Sequence, residues 1–133
     1  MTTVLIVEDD PINLRVFSKI LTKRGGLNVK NTEDVEEVIS IAQGGEIDLV
    51  LMDVSLSNSV YQGQAVDGIK ITQLLKAEPK TANLPVILVT AHAMEGDQEN
   101  FLQQSGADGY ISKPVVDHQQ FVAQILEKIR QSQ

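Results

Sequence analysis

Apolar residues along this chain fall into two alternating rhythms. Short unbroken runs occur at residues 3–7 (TVLIV), 27–29 (LNV), 47–54 (IDLVLMDV), 84–90 (LPVILVT) and 109–112 (GYIS). The first, third and fourth show no polar alternation, the pattern of strands covered on both faces, as in a parallel sheet. Between the runs, apolar residues recur at spacings of three and four. Leu14, Phe17 and Leu21 share one helical face, introduced by Asp10 as N-cap and Pro11 at the first helical position and ended by Gly25-Gly26. Residues 34–43 place Val35, Val38, Ile39 and Ala42 on an inner face before Gly44-Gly45. Ile71, Leu74 and Leu75 pattern a third helix closed by Pro79, and Phe121, Ile125 and Ile129 a final one. The fourth helix, over residues 95–105, has only Phe101 and Leu102 as large apolar residues. Having little apolar surface to bury, it is expected to be the most mobile.

Strand and helix therefore alternate five times. That pattern predicts an α/β domain with a doubly wound, five-stranded parallel sheet, right-handed crossovers and helices on both faces. No linker, repeat or biased segment divides the chain, so one domain is expected over residues 1–133. One connection stands out. After the third run the sequence reads SLSNSVYQGQAVDG, residues 55–68, and about a dozen residues pass before the helix, against the 2–6 usual in such units.

Composition narrows the class. With 42% hydrophobic and 22% charged residues in 133, the chain is long enough for one real core and reads as a folded domain. A net charge of −7 argues against nucleic acid as a direct partner, because phosphate binding needs clustered Lys and Arg. Cysteine is absent, which excludes disulfides and thiolate metal sites. MTTVLIVEDD lacks a basic leader and runs into three acids, and no apolar run approaches the ~18 residues of a membrane span. A soluble cytoplasmic domain with no membrane partner is the expectation.

In a parallel sheet all carboxyl ends open on one edge, where ligands bind. The predicted strands end at Glu8-Asp9-Asp10, at Asp53, at Thr90 and at Ser112-Lys113-Pro114. Carboxylates brought together there raise each other's pKa unless something positive joins them. With no His or Cys in these segments, oxygen donors dominate, which suits Mg²⁺ or Mn²⁺. Asp10 reads as a helix cap. Asp53 does not, because no helix begins near it. A carboxylate beside a metal and a lysine can attack phosphorus to form an aspartyl phosphate. The metal and Lys113 would neutralise the phosphoryl oxygens, and the Thr90 hydroxyl could bond one of them.

Five stretches, VLIVEDDPINLRVF, DLVLMDVSL, VDG, PVILVTAHAM and GADGYISKP, in this order and at these strand ends, resemble the receiver domain of bacterial two-component response regulators over essentially the whole chain. The likeness is to chemotaxis-regulator-like receivers of single-domain or phosphorelay type. It implies a flavodoxin-like (βα)5 sandwich with strand order 2-1-3-4-5, counting the five runs. It implies that Asp53 accepts the phosphoryl group, that Asp9 binds the metal directly and that Glu8 assists through a water. By the same resemblance Ser55 offers its backbone carbonyl to the metal, and Thr90, the Ala91 backbone and Lys113 contact the phosphoryl group. The Lys113–Pro114 bond would be cis. Tyr110 stands where the family has a switch aromatic, or is a plain edge-strand aromatic. Ser55 and His92 occupy positions that affect phosphoryl lifetime, although His92 also reads as an exposed loop residue. The donor implied is a sensor histidine kinase or histidine phosphotransfer protein, and VTAHAMEGD resembles receivers of phosphorelays and hybrid kinases.

Phosphorylation would alter the surface of the fourth helix, fifth strand and fifth helix, in a monomer or weak dimer whose downstream target the sequence leaves open. The chain ends soon after the last helix, so it would signal through its own surface or form the receiver part of a longer regulator. Other classes fit less well. A dehalogenase-like phosphatase needs an acid two residues after its nucleophile, where Ser55 stands. A nucleotide or flavin module needs a glycine-rich first turn, where EDDPIN stands. A degenerate, purely binding receiver conflicts with the filled key positions. The long 55–68 connection departs from the family, and Val60, Tyr61 or Val66 is expected either to cover the acidic pocket, tuning access to Asp53, or to meet a partner.

Overall fold

Capping chemistry sets the helix starts. In the computed structural model, which describes residues 2–54, 60–90, 97–113 and 115–132, α1 spans Pro11–Lys23 and the Asp10 carboxylate accepts the Ile12 N–H at 2.9 Å. α2 (Val35–Gln43) begins the same way, Asp34 accepting from Glu36 N–H. α3 (Gly68–Ala77) follows Asp67, whose side chain accepts the Lys70 N–H. α4 spans Asp97–Ser105 and α5 His118–Ser132. Each cap satisfies an amide the first turn leaves without a partner.

The strands are β1 (Thr3–Val7), β2 (Asn28–Asn31), β3 (Leu49–Asp53), β4 (Val60–Tyr61), β5 (Gln64–Ala65), β6 (Val86–Thr90) and β7 (Gly109–Ser112). Five of them form one parallel sheet, ordered β2-β1-β3-β6-β7. Counting only these sheet strands, that is the order 2-1-3-4-5. Every residue of β1, β3 and β6 is buried, which is why these segments read as unbroken apolar runs. Alternate residues face opposite layers. Val4 and Ile6 join Phe17, Leu21, Phe121 and Ile125 of α1 and α5. Leu5 and Val7 join Val35, Val38, Ile71 and Leu75 of α2 and α3.

Several boundaries move from their sequence expectation for local reasons. The second strand is Asn28–Asn31, not 27–29, because Leu27 turns back so that its N–H donates to the Leu21 carbonyl at 3.1 Å. The third begins at Leu49, since the Asp48 carboxylate instead accepts the Thr3 N–H at 2.9 Å. Helix two begins at Val35 with Asp34 outside it as the cap. In α4, residues 95 and 96 of the expected span lie outside the described residues.

The long connection is not merely a loop. β4 and β5 pair antiparallel, Val60 with Ala65 and Tyr61 with Gln64. The two residues between them, Gln62 and Gly63, have φ of 52° and 81°, the pair of positive values a two-residue type I′ hairpin turn requires. Tyr61 and Val66 are half-buried and pack on the layer formed by α2 and α3. Across the base of the excursion the Gly68 N–H donates to the Val54 carbonyl at 3.0 Å.

Candidate phosphoacceptor site

Parallel pairing delivers the strand ends to one edge. Val7 lies opposite Met52, Asp53 opposite Val89 and Thr90 opposite Ser112. The residues immediately following β1 and β7 therefore meet the last residue of β3. The Lys113 N–H also donates to the Thr90 carbonyl at 2.8 Å, fixing the turn after β7 against the end of β6.

Glu8, Asp9 and Asp53 bring carboxylate oxygens within 4.8 Å of one another. Glu8 and Asp53 are buried, at 5% and 4% exposure. The Lys113 Nζ enters between them, 3.2 Å from Glu8 Oε1 and 3.3 Å from Asp53 Oδ1. The other Glu8 oxygen accepts the backbone N–H groups of Asp9 at 3.1 Å and Asp10 at 3.4 Å. Burial pushes the Glu8 carboxyl up to about 7, reinforced by its hydrogen bond to Asp53 and by the Asp53 charge, while Lys113 pulls the other way. One ammonium thus faces three carboxylates, and the deficit is partly met by holding a proton near neutral pH. A divalent cation would balance the same charge without the proton. The donors are all oxygens, as Mg²⁺ or Mn²⁺ prefers, and Glu8, Asp9 and Asp53 are the side chains that could hold it.

The other expected site residues divide clearly. Thr90 is fully buried at the end of β6. Tyr110 is buried on the edge strand β7, its ring stacked on Phe101 with centroids 6.4 Å apart. Its backbone carbonyl accepts from Gln124 Nε2 at 3.2 Å. Tyr61 lies at a cleft of about 280 Å³ against α2, beside Glu36, Ile39, Ser40 and Gln43. Ser55, Ala91, His92 and Pro114 lie outside the described residues. Sequence reasoning assigned Glu8 a supporting place but missed its direct ion pair with Lys113, and it missed the contact that Gly68 makes with Asp53. Both depend on residues far apart in the chain.

At the carboxyl edge of this doubly wound parallel sheet three carboxylates converge, two of them ion-paired to a half-buried lysine, and the sequence carries a matching family pattern. Residues 4–126 match the response regulator receiver domain, and the protein belongs to that family. It is 35% identical over 113 residues to the polar-differentiation response regulator DivK of Brucella anthropi, covering 85% of each chain. The DivK of Brucella ovis is 34% identical over the same length, again covering 85% of each chain. Among solved structures, the receiver domain of a sensor histidine kinase from Pseudomonas aeruginosa PAO1 has a magnesium ion coordinated in its active site cleft. It is 29% identical, covers 97% of this chain and 98% of its own, and superposes with a TM-score of 0.79. A CheY-like receiver domain protein from Methanospirillum hungatei JF-1 is 26% identical, with a TM-score of 0.77 over 99% of this chain and 96% of that one. The protein is thus a response regulator receiver domain protein. Among the described residues, no helix is long and apolar enough to cross a membrane.

Proposed function

We propose that this chain is a phosphorylation-driven signalling protein in which Asp53 takes a phosphoryl group from a phosphohistidine. The observation that carries this reading is the buried Asp53 carboxylate, ion-paired to Lys113 and within 4.8 Å of the Glu8 and Asp9 oxygens. An Asp53 oxygen attacks phosphorus, the N–P bond to the donor histidine breaks and the acyl phosphate stays on Asp53. Lys113 offsets charge on the transferred oxygens, and the Thr90 hydroxyl and Ala91 N–H take up oxygens of the product. Mg²⁺, held by Asp9, Asp53 and the Ser55 carbonyl with Glu8 nearby, would supply further charge neutralisation.

The donor in this reading is a sensor histidine kinase or a histidine phosphotransfer protein in the cytoplasm. The chain acts only on itself, accepting and losing the group, and residues 1–133 form one receiver domain. Movement of Thr90 toward the phosphoryl group and of Tyr110 with it would reshape the surface of α4, β7 and α5 for a target protein. Ser55 and His92 are the residues proposed to tune phosphoryl lifetime.

Incubation with acetyl phosphate and Mg²⁺ should add the mass of one phosphoryl group to the wild-type chain. Asp53→Asn should stay unlabelled, and chelation of Mg²⁺ should stop labelling of the wild type. Persistent labelling of Asp53→Asn overturns the acceptor assignment.

A further inference from the structure

Gly68 opens α3 at a backbone angle that any L-residue can adopt, since it is not among the glycines of positive φ. Helix propensity alone would favour alanine there. The position is instead governed by space. A Cβ on Gly68 would lie 2.0 Å from the Asp53 carbonyl oxygen, 2.8 Å from the Asp53 carbonyl carbon and 3.0 Å from Met52 Cγ. The first turn of α3 therefore rests directly on the peptide that follows the proposed phosphoacceptor. One hydrogen bond holds it there, and a second, within the helix, braces Gly68 itself. The Gly68 N–H donates to the Val54 carbonyl at 3.0 Å, and its own carbonyl accepts the buried Thr72 hydroxyl at 2.8 Å. Asp53 is fixed on its other side by pairing with Val89, and the Val54 N–H donates to the Val89 carbonyl. The Asp53–Val54 peptide is clasped between β6 and the start of α3.

We infer that Gly68 is a positioning residue for phosphoryl uptake, its bare Cα seating α3 against the Asp53 backbone and so fixing the Asp53 carboxylate against Lys113. This rests on the proposal that Asp53 is the acceptor. Real Cβ contacts stay above 3.0 Å, so a methyl at 2.0 Å would force the peptide or the helix to retreat by about 1 Å. Displacements of that size at a reacting group lower rates by about 100-fold.

The test compares phosphorylation rates from acetyl phosphate at saturating Mg²⁺ for wild type, Gly68→Ala and Ile71→Val. Ile71→Val trims a buried core residue one turn along the same helix and leaves Gly68 unchanged. Gly68→Ala is expected to slow uptake by about 10- to 100-fold, with Ile71→Val within twofold of wild type. In metal-free protein, the Asp53 and Val54 amide resonances should move further in Gly68→Ala than in Ile71→Val, whose residue shares a core cluster with Val54. Should Gly68→Ala fail to fold, Thr72→Val, which keeps the shape but removes the hydroxyl bonded to Gly68, should slow uptake severalfold, and Thr72→Ser should restore it. Wild-type rates in Gly68→Ala, or in Thr72→Val where only that variant folds, overturn the inference while leaving the acceptor reading intact. A wild-type chain that takes up no phosphoryl group overturns the acceptor reading itself.

Discussion

Replacing Glu8 by glutamine should change how stability depends on pH. The Glu8 carboxyl titrates at about 7 in the folded chain against 4.5 in the absence of structure. Burial is the main cause, and the neighbouring Asp53 carboxylate adds to it. Between those two values the folded chain holds more protons than the unfolded chain, and stability must fall as pH rises. At about 1.4 kcal/mol per unit, the full effect is about 3 kcal/mol, complete above the folded value. Because the unfolded carboxyl is already mostly ionised at pH 5, about 2–3 kcal/mol of this should appear between pH 5 and pH 8. Glutamine keeps the shape and cannot ionise. Urea unfolding of both chains in the presence of a chelator isolates the term, because other costs of the substitution cancel in the difference between the two pH values. Relative to wild type, Glu8→Gln should gain about 2–3 kcal/mol on going from pH 5 to pH 8. A gap between the two chains that stays constant across this range refutes the argument. Saturating Mg²⁺ should flatten the wild-type slope, since a divalent cation replaces the proton.

Two further perturbations address the metal and the scaffold. Asp9→Ala removes one of the three converging carboxylates and should weaken Mg²⁺ binding at least tenfold by calorimetric titration; unchanged affinity would place the metal elsewhere. Lys76, whose Nζ donates to the Leu84 carbonyl at 2.9 Å, the Ala82 carbonyl at 3.3 Å and Asp108 Oδ2 at 2.7 Å, ties the end of α3 to the entries of β6 and β7. Lys76→Met retains the apolar stem and should cost about 1–3 kcal/mol in urea unfolding, mostly through the carbonyl bonds, because the partner Asp108 is part-exposed. A loss under about 0.5 kcal/mol would show that water replaces those bonds.

The fold was readable wherever burial was continuous. TVLIV, the 47–54 run and the 84–90 run announced themselves because β1, β3 and β6 are covered on both faces. Asp10 and Pro11 marked α1 by local chemistry alone. Because a parallel sheet opens all its carboxyl ends on one edge, the grouping of Glu8, Asp9, Asp53 and Lys113 followed from topology once the strands were found.

What escaped was governed by distance or brevity. The β4–β5 hairpin has strands of two residues each, too short for any alternation. Its turn sets Gln62, not the usual Asn or Asp, at positive φ. Tyr61 packs toward α2, a contact not read from the sequence. The Lys113–Glu8 pair joins residues 105 apart, and only the finished sheet brings them together. Gly68 figured in the sequence only as part of VDG before the third helix, and its close approach to Asp53 emerged from the structure.

The central claim is that Asp53, and no other carboxylate at this edge, carries the phosphoryl group. Wild-type protein treated with acetyl phosphate and Mg²⁺ can be reduced with borohydride, which converts an aspartyl phosphate to homoserine, then digested and sequenced by mass spectrometry. Homoserine at position 53 alone is the predicted result. Homoserine at position 9 or 10 with an unchanged Asp53, or no conversion in a chain shown to be labelled, would contradict it.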